Sequence, residues 1–166
     1  EDEFRARHFY FQIQALASLI EGDAEQTADW FGSLRNWWIQ HPVHCSAEPV
    51  RYKAVLANHL AASLFVQRLD EFEEDAERYR KAPSTNPRDL FLATQQINYL
   101  ESLYLVNRLP DDLSRATAIG TWLRREQARV RPEFNVSIAY QLALTFLLRQ
   151  LPSEAVRWLN HILHSK

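Results

Sequence analysis

A chain of 166 residues with 46% hydrophobic and 24% charged positions suits one globular domain and is too short for two comfortable ones. A formal net charge of −2 excludes a generally basic nucleic-acid binder, and no uncharged apolar run approaches the roughly 20 residues of a membrane span. Cys45 is the single cysteine, which excludes an internal disulfide and favours a reducing, cytoplasmic compartment without fixing the location. Only three glycines, among abundant Leu, Ala, Arg, Glu and Gln, point to helix almost everywhere. Methionine is absent even at position 1, so the chain is expected to be a piece of a longer protein.

Taken in order, the punctuation predicts helices in pairs. The first runs from Asp2 to Glu21 and stops at Gly22, and the second runs from Ala24 to Gln40 ahead of Pro42. Residues 41–46 are expected to be a loop. A third helix is expected from Pro49 to Gln67 and a fourth from Glu71 to Lys81, with Asp70 as its cap. Acids crowd the start of the fourth and Arg78, Arg80 and Lys81 its end, matching the helix dipole. Asn86 then caps a fifth helix, with Pro87 in its first position, that runs to Arg108. A sixth covers Pro110 to Val130, a seventh Pro132 to Gln150, and an eighth begins at Pro152. The hairpins so formed span about 2–40, 47–81, 87–130 and 132–165 of a single domain, residues 1–166.

Three stretches repeat one pattern: 60–72, 100–113 and 142–155. Each is an apolar helical run closed by similar residues (Val66 to Leu69, Val106 to Leu109, Leu148 to Leu151) and followed by a helix start. The closing leucines, Leu69, Leu109 and Leu151, lie 40 and 42 residues apart. Self-similarity at such a period marks stacked helical repeats. The last repeat carries Leu142-Ala143, Phe146 and Ala155; the second carries Leu60-Ala61 and Leu64; the third has Leu100 and Tyr104, but Glu101 at the small position. On these residues the chain resembles a tetratricopeptide-repeat protein with lengthened repeats. The resemblance implies an all-α, right-handed α-solenoid of about four antiparallel hairpins. Gly120 is expected to permit close helix approach, as small residues do.

The resemblance also implies a concave groove lined by the first helix of each pair. Its positions are Phe9, Gln12, Leu16 and Leu19; Val55, Asn58, Ala62 and Phe65; Gln95, Asn98, Ser102 and Leu105; Ser137, Tyr140, Leu144 and Leu147. Gln12, Asn58, Asn98 and Tyr140 form a polar ladder whose amides can donate to and accept from a peptide backbone. The groove lacks the Lys/Arg clamp with which chaperone-binding members of the family hold a terminal carboxylate. The implied function is a non-catalytic protein–protein interaction scaffold with a protein or peptide partner and no cofactor. A regulatory sensor of a short peptide or small ligand is the second reading. The third is a metal-dependent or Cys/His helical enzyme built on His41, His44 and Cys45, the only dense group of metal-capable side chains in sequence. No second half of a ligand pattern and no phosphate loop or nucleophile elbow accompanies it. Arg124, Arg125, Arg129 and Arg131 fit a helix C-terminus better than nucleic acid. Trp30, Phe31, Leu34, Trp37 and Trp38 form a broad aromatic face, either core or interface anchor. Apolar residues on the first helix (Phe4, Phe9, Tyr10, Phe11) and the last (Val156, Trp158, Leu159, Ile162) predict that an end is covered, by a second copy or by more of a longer chain.

Overall fold

The computed structural model describes residues 2–107 and 113–164, and all regular structure within them is α-helical. The elements are α1 (Asp2–Glu21), α2 (Ala24–Ile39), α3 (Pro42–Ala47), α4 (Pro49–Phe65), α5 (Leu69–Lys81), α6 (Pro87–Asn107), α7 (Ser114–Glu126), α8 (Pro132–Leu148) and α9 (Pro152–His164). The all-α class expected from composition is thus observed. Arg108, Leu109, Pro110, Asp111 and Asp112, which carry the middle repeat's punctuation, lie outside the described residues, as does position 165 of the last hairpin. The helices group into two compact units, Glu1–Thr94 and Gln95–Lys166, with the division inside α6.

Local chemistry sets the starts. Asp23 caps α2 by accepting the Gln26 N–H at 2.9 Å, and Asn86 accepts the Asp89 N–H at 2.9 Å ahead of α6. Proline opens α3, α4 and α8, where its missing N–H costs nothing. Three expectations need correction. The helix expected from Pro110 to Val130 is the shorter α7, Ser114–Glu126, preceded by non-helical Leu113 and followed by a turn at 127–129. Residues 41–46 are not a loop: Pro42 starts the short helix α3, and the His41 carbonyl accepts the His44 N–H at 3.0 Å. Asp70 is not the cap of α5, which begins at Leu69 after Arg68 with no side-chain cap; Asp70 sits in the first turn, where its charge suits the dipole.

The stops share one device. Gly22, Gln67 and Gln150 all have positive φ (80°, 62° and 58°). In each case the left-handed residue donates to the carbonyl three back, and the next residue donates to the one five back. Those bonds are Gly22 to Leu19 and Asp23 to Ser18; Gln67 to Leu64 and Arg68 to Ser63; Gln150 to Leu147 and Leu151 to Phe146. This Schellman geometry satisfies the orphan carbonyls of α1, α4 and α8.

The N-terminal unit is built on aromatics. Phe4, Phe31, Leu34, Trp38 and Val55 are buried together, with Phe11, Trp30, Trp37 and Tyr52 packed against them. Trp37 stacks on Phe4 and Trp30 meets Tyr10 and Phe11, so the broad aromatic face of α2 is used within the unit. In the C-terminal unit Leu100, Tyr104, Ile119, Leu123, Ile138, Leu142, Phe146 and Trp158 are buried. There Gly120 matters: a Cβ on it would stand 2.5 Å from Trp158 Cζ2, so only glycine lets the indole lie against α7. Arg124, one turn on, also lies over that ring, its guanidinium carbon 4.6 Å from the ring centre.

Candidate functional site

The N-terminal unit holds a cavity of about 530 Å³, open to solvent. α1 supplies Gln12, Leu16 and Leu19; the α1–α2 turn supplies Gly22 and Ala24; Thr27 and Phe31 come from α2; Asn58, Ala61, Ala62 and Phe65 come from α4. The turn is tight because Gly22 takes a φ of 80°, and this sets the end of α1 beside the start of α2. No lining residue carries a charge. Phe65 is 78% exposed and Leu19 58%, so large apolar surface stands in water at the mouth. Asn58 is exposed, while half-buried Gln12 hydrogen-bonds to His8 one turn earlier on α1.

Of the residues expected to line a groove, Gln12, Asn58 and Phe65 therefore meet around one cavity, with Leu16, Leu19 and Ala62. Val55, expected beside them, is buried in the core. Phe9, also expected there, is exposed and does not line the cavity. The remaining candidates belong to the C-terminal unit. Two of them face inward. Gln95 is buried and accepts the Arg131 N–H at 3.0 Å, and Ser102 is buried and donates to the Tyr99 carbonyl at 2.7 Å. Leu105 is also buried. Asn98 is half-buried, and Tyr140 and Leu147, two turns apart on α8, are about half exposed. The helix stops explain part of this pattern. Gln67 and Gln150 are geometrically equivalent and 83 residues apart, one more than the separation of Leu69 and Leu151. One residue is about 100° of rotation on a helix. By the helix stops, Asn58 corresponds to Gln141 and not to Tyr140.

In the His41-Pro42-Val43-His44-Cys45 segment, the His41 and His44 rings both pack on Phe4, their centres 6.3 Å apart, and each of the three candidate side chains has its own partner. His41 Nδ1 donates to the Trp37 carbonyl at 2.7 Å, His44 stacks on Phe4 with ring centres 3.7 Å apart, and Cys45 Sγ donates to the Trp38 carbonyl at 3.1 Å. Burial raises the Cys45 pKa, which disfavours a reactive thiolate. Among the described residues, no three His, Cys, Asp or Glu side chains converge as metal ligands.

Sequence reasoning missed a charged cluster between α2, α4 and α5. Asp75 is fully buried and accepts from Arg35 Nε at 3.0 Å, His59 Nδ1 at 2.6 Å and Arg78 Nη1 at 3.1 Å. His59 Nε2 lies 3.2 Å from Glu71 Oε2 and 3.4 Å from Ser63 Oγ. Ser63, His59 and Asp75 thus stand in the order of a nucleophile, base and acid. Yet Ser63 and His59 are both fully buried, and Nε2 is closer to the Glu71 carboxylate than to the hydroxyl. No substrate carbonyl can reach Ser63 in this arrangement, and the cluster ties helices together. Its sequence signal was available: Asp75 shares a stripe with Phe72, Ala76 and Tyr79, at apolar helical spacing.

In the C-terminal unit Arg125 and Arg129 pair with Glu126, so the basic run is partly neutralised. His161 Nε2 donates to Asn135 Oδ1 at 2.8 Å, and His164 Nδ1 to the Asn160 carbonyl at 2.7 Å. Among the described residues, no helix is long and apolar enough to cross a membrane. No protein-family model, no curated protein and no solved structure matches the chain.

Proposed function

We propose that the protein is a non-catalytic interaction module of the tetratricopeptide type, a right-handed solenoid of about four hairpins that holds an uncharged segment of a partner protein. The observation that carries this reading is the cavity between α1, α2 and α4, with its uncharged lining and exposed Leu16, Leu19 and Phe65. Exposed apolar surface beside amides suits a peptide that offers aliphatic side chains and backbone polar groups together. The lining has no lysine or arginine, which argues against a terminal carboxylate as the anchor. The repeated Schellman stops of α1, α4 and α8 support a repeat origin for the hairpins.

The test is selection of peptides from a displayed library on the immobilised protein, followed by affinity measurements. Phe65→Ala and Leu16→Asp are expected to weaken a selected peptide at least about tenfold each, since buried aromatic and aliphatic anchors dominate such contacts. Unchanged affinity in both variants would sink the groove reading. The sensor reading keeps one observation in its favour: about 530 Å³ falls within the size range of small-molecule sites. A thermal-shift screen against uncharged metabolites separates the two, because only a small-ligand site gives a saturable shift without peptide.

A further inference from the structure

The outer face of α1 carries apolar residues that nothing in the N-terminal unit covers. The helix buries Phe4, His8, Ala15 and Ser18 toward the unit. On the opposite side Phe9 is 53% exposed, Ile13 61%, Leu16 44% and Ile20 87%. Their spacing of four, three and four residues is that of a coiled-coil seam. Tyr10 and Leu19, flanking it, are also about half exposed. From Phe9 to Ile20 the helix holds no Asp, Glu, Lys or Arg.

We infer that this face pairs with the same face of a second copy, α1 against α1 and antiparallel. The pattern maps onto itself about a two-fold axis between Gln14 and Ala15: Phe9 then faces Ile20 of the other copy, and Ile13 faces Leu16. That reciprocity is what a two-fold interface requires. The flanking positions bring Tyr10 beside Ala17 and Gln12 beside Leu19, so no like charges meet. Antiparallel pairing also sets the positive end of one helix dipole beside the negative end of the other, whereas parallel pairing sets like ends together. The six exposed side chains present on the order of 650 Å² per copy, within the range each partner contributes to a standard interface. The inference goes beyond the groove reading and does not depend on it; Leu16 is central to the seam and also lines the cavity, as do Gln12 and Leu19, so pairing and a groove peptide compete for these residues.

Light scattering and sedimentation equilibrium across a concentration series, on the full chain, read the assembly directly. A dimer mass is expected, and a strict monomer up to millimolar concentration would overturn the inference. Ile13→Glu places a carboxylate on the seam twice per dimer and is expected to raise the dimer dissociation constant at least about 100-fold. Position 13 is solvent-exposed within the unit, so the helical circular dichroism should be unchanged. An unchanged dimer in this variant places the interface elsewhere and also overturns the inference. Orientation is read in a Cys45→Ser background by mixing protein carrying Phe9→Cys with protein carrying Ile20→Cys. Disulfide capture in the mixture but in neither variant alone is expected, because equivalent positions lie about 16 Å apart along an antiparallel pair. Capture within either variant alone means a parallel arrangement and overturns the antiparallel seam.

Discussion

The two units solve the same packing problem with different materials. Where α2, α4 and α5 meet, the N-terminal unit buries charge: Asp75 gathers Arg35, His59 and Arg78, one or more from each helix. Where α7 meets α9, the C-terminal unit relies on shape: Gly120 has no side chain, so the Trp158 ring can approach the helix closely. A charged junction holds only while every member is present, because a buried charge left alone is costly. A steric junction holds only while nothing is added, because a dense interior leaves no room for another carbon. The lesson is that similar helical hairpins, even with the same Schellman stops, need not share what fixes their neighbours.

Each contrast can be broken separately. The largest effect is expected from Asp75→Ala, which leaves buried His59 and nearly buried Arg35 without their common carboxylate. A loss of about 3–5 kcal/mol is expected, as for other broken buried ion pairs. Residue-level hydrogen exchange should show it in α2, α4 and α5 first, with α8 and α9 little affected. Uniform loss across the chain would mean that the network is not local.

Next is Gly120→Ala. Overpacking against Trp158 costs about 1–3 kcal/mol, from which the roughly 1 kcal/mol that alanine gains in a helix is subtracted. Denaturant melts of the single variant and of Gly120→Ala with Trp158→Leu decide it, since the smaller side chain should make the alanine harmless. A destabilisation that persists in the double variant has another cause.

A smaller gain is expected from Gln67→Gly or Gln150→Gly. Both residues are held at positive φ, where glycine has no steric penalty, and about 0.5–1 kcal/mol of stabilisation is expected after the flexibility glycine adds to the unfolded chain. The two gains should be alike, because the stops are alike. Unequal gains would separate the units further.

The subtlest test is pH. Burial, with Arg51 nearby, holds His8 below its ordinary pKa, and burial, with Arg124 nearby, does the same to His161. His8 must be neutral at Nδ1 to accept from Trp38 Nε1 at 2.9 Å. A lowered folded pKa means that the neutral form is the one favoured by folding. The contribution is complete above the unfolded value, near 6.5, and is lost as pH falls through the folded value. Hydrogen exchange at pH 7 and pH 5 should therefore show both units loosening in acid. His8→Gln should flatten the response of α1 and α2, and His161→Gln that of α8 and α9. A response in α1 and α2 that survives His8→Gln would assign the titration elsewhere.

Much of this was legible in the chain because it depends on neighbours in sequence. Pro49, Pro132 and Pro152 mark helix starts, Asn86 caps, Gly22 stops, and the Glu74–Arg78 and Glu77–Lys81 pairs form at 2.5 and 2.6 Å as their four-residue spacing suggests. The α3 helix escaped because His41 to Ser46 offers too few residues to show a period, although Pro42 was its signal. Gln12, Asn58 and Phe65 are grouped only through the tetratricopeptide resemblance, and they do line one cavity. Gln95 and Ser102 could not be oriented, because a one-residue error in register turns a helical side chain by about 100°.

By itself the sequence determined most helix starts and stops and the aromatic content of the first helix, with Phe4, Phe9, Tyr10 and Phe11. The starts and stops follow from dihedral preference, capping and amphipathic spacing, which act within a few residues. Tertiary structure alone decided that Arg35, His59 and Asp75 share one buried site and that Gly120 serves Trp158. It also decided that two glutamines take the left-handed stop usually given to glycine. The buried cluster and the Gly120–Trp158 contact join residues 16 to 40 positions apart, and only the packing of one helix on another brings them within reach.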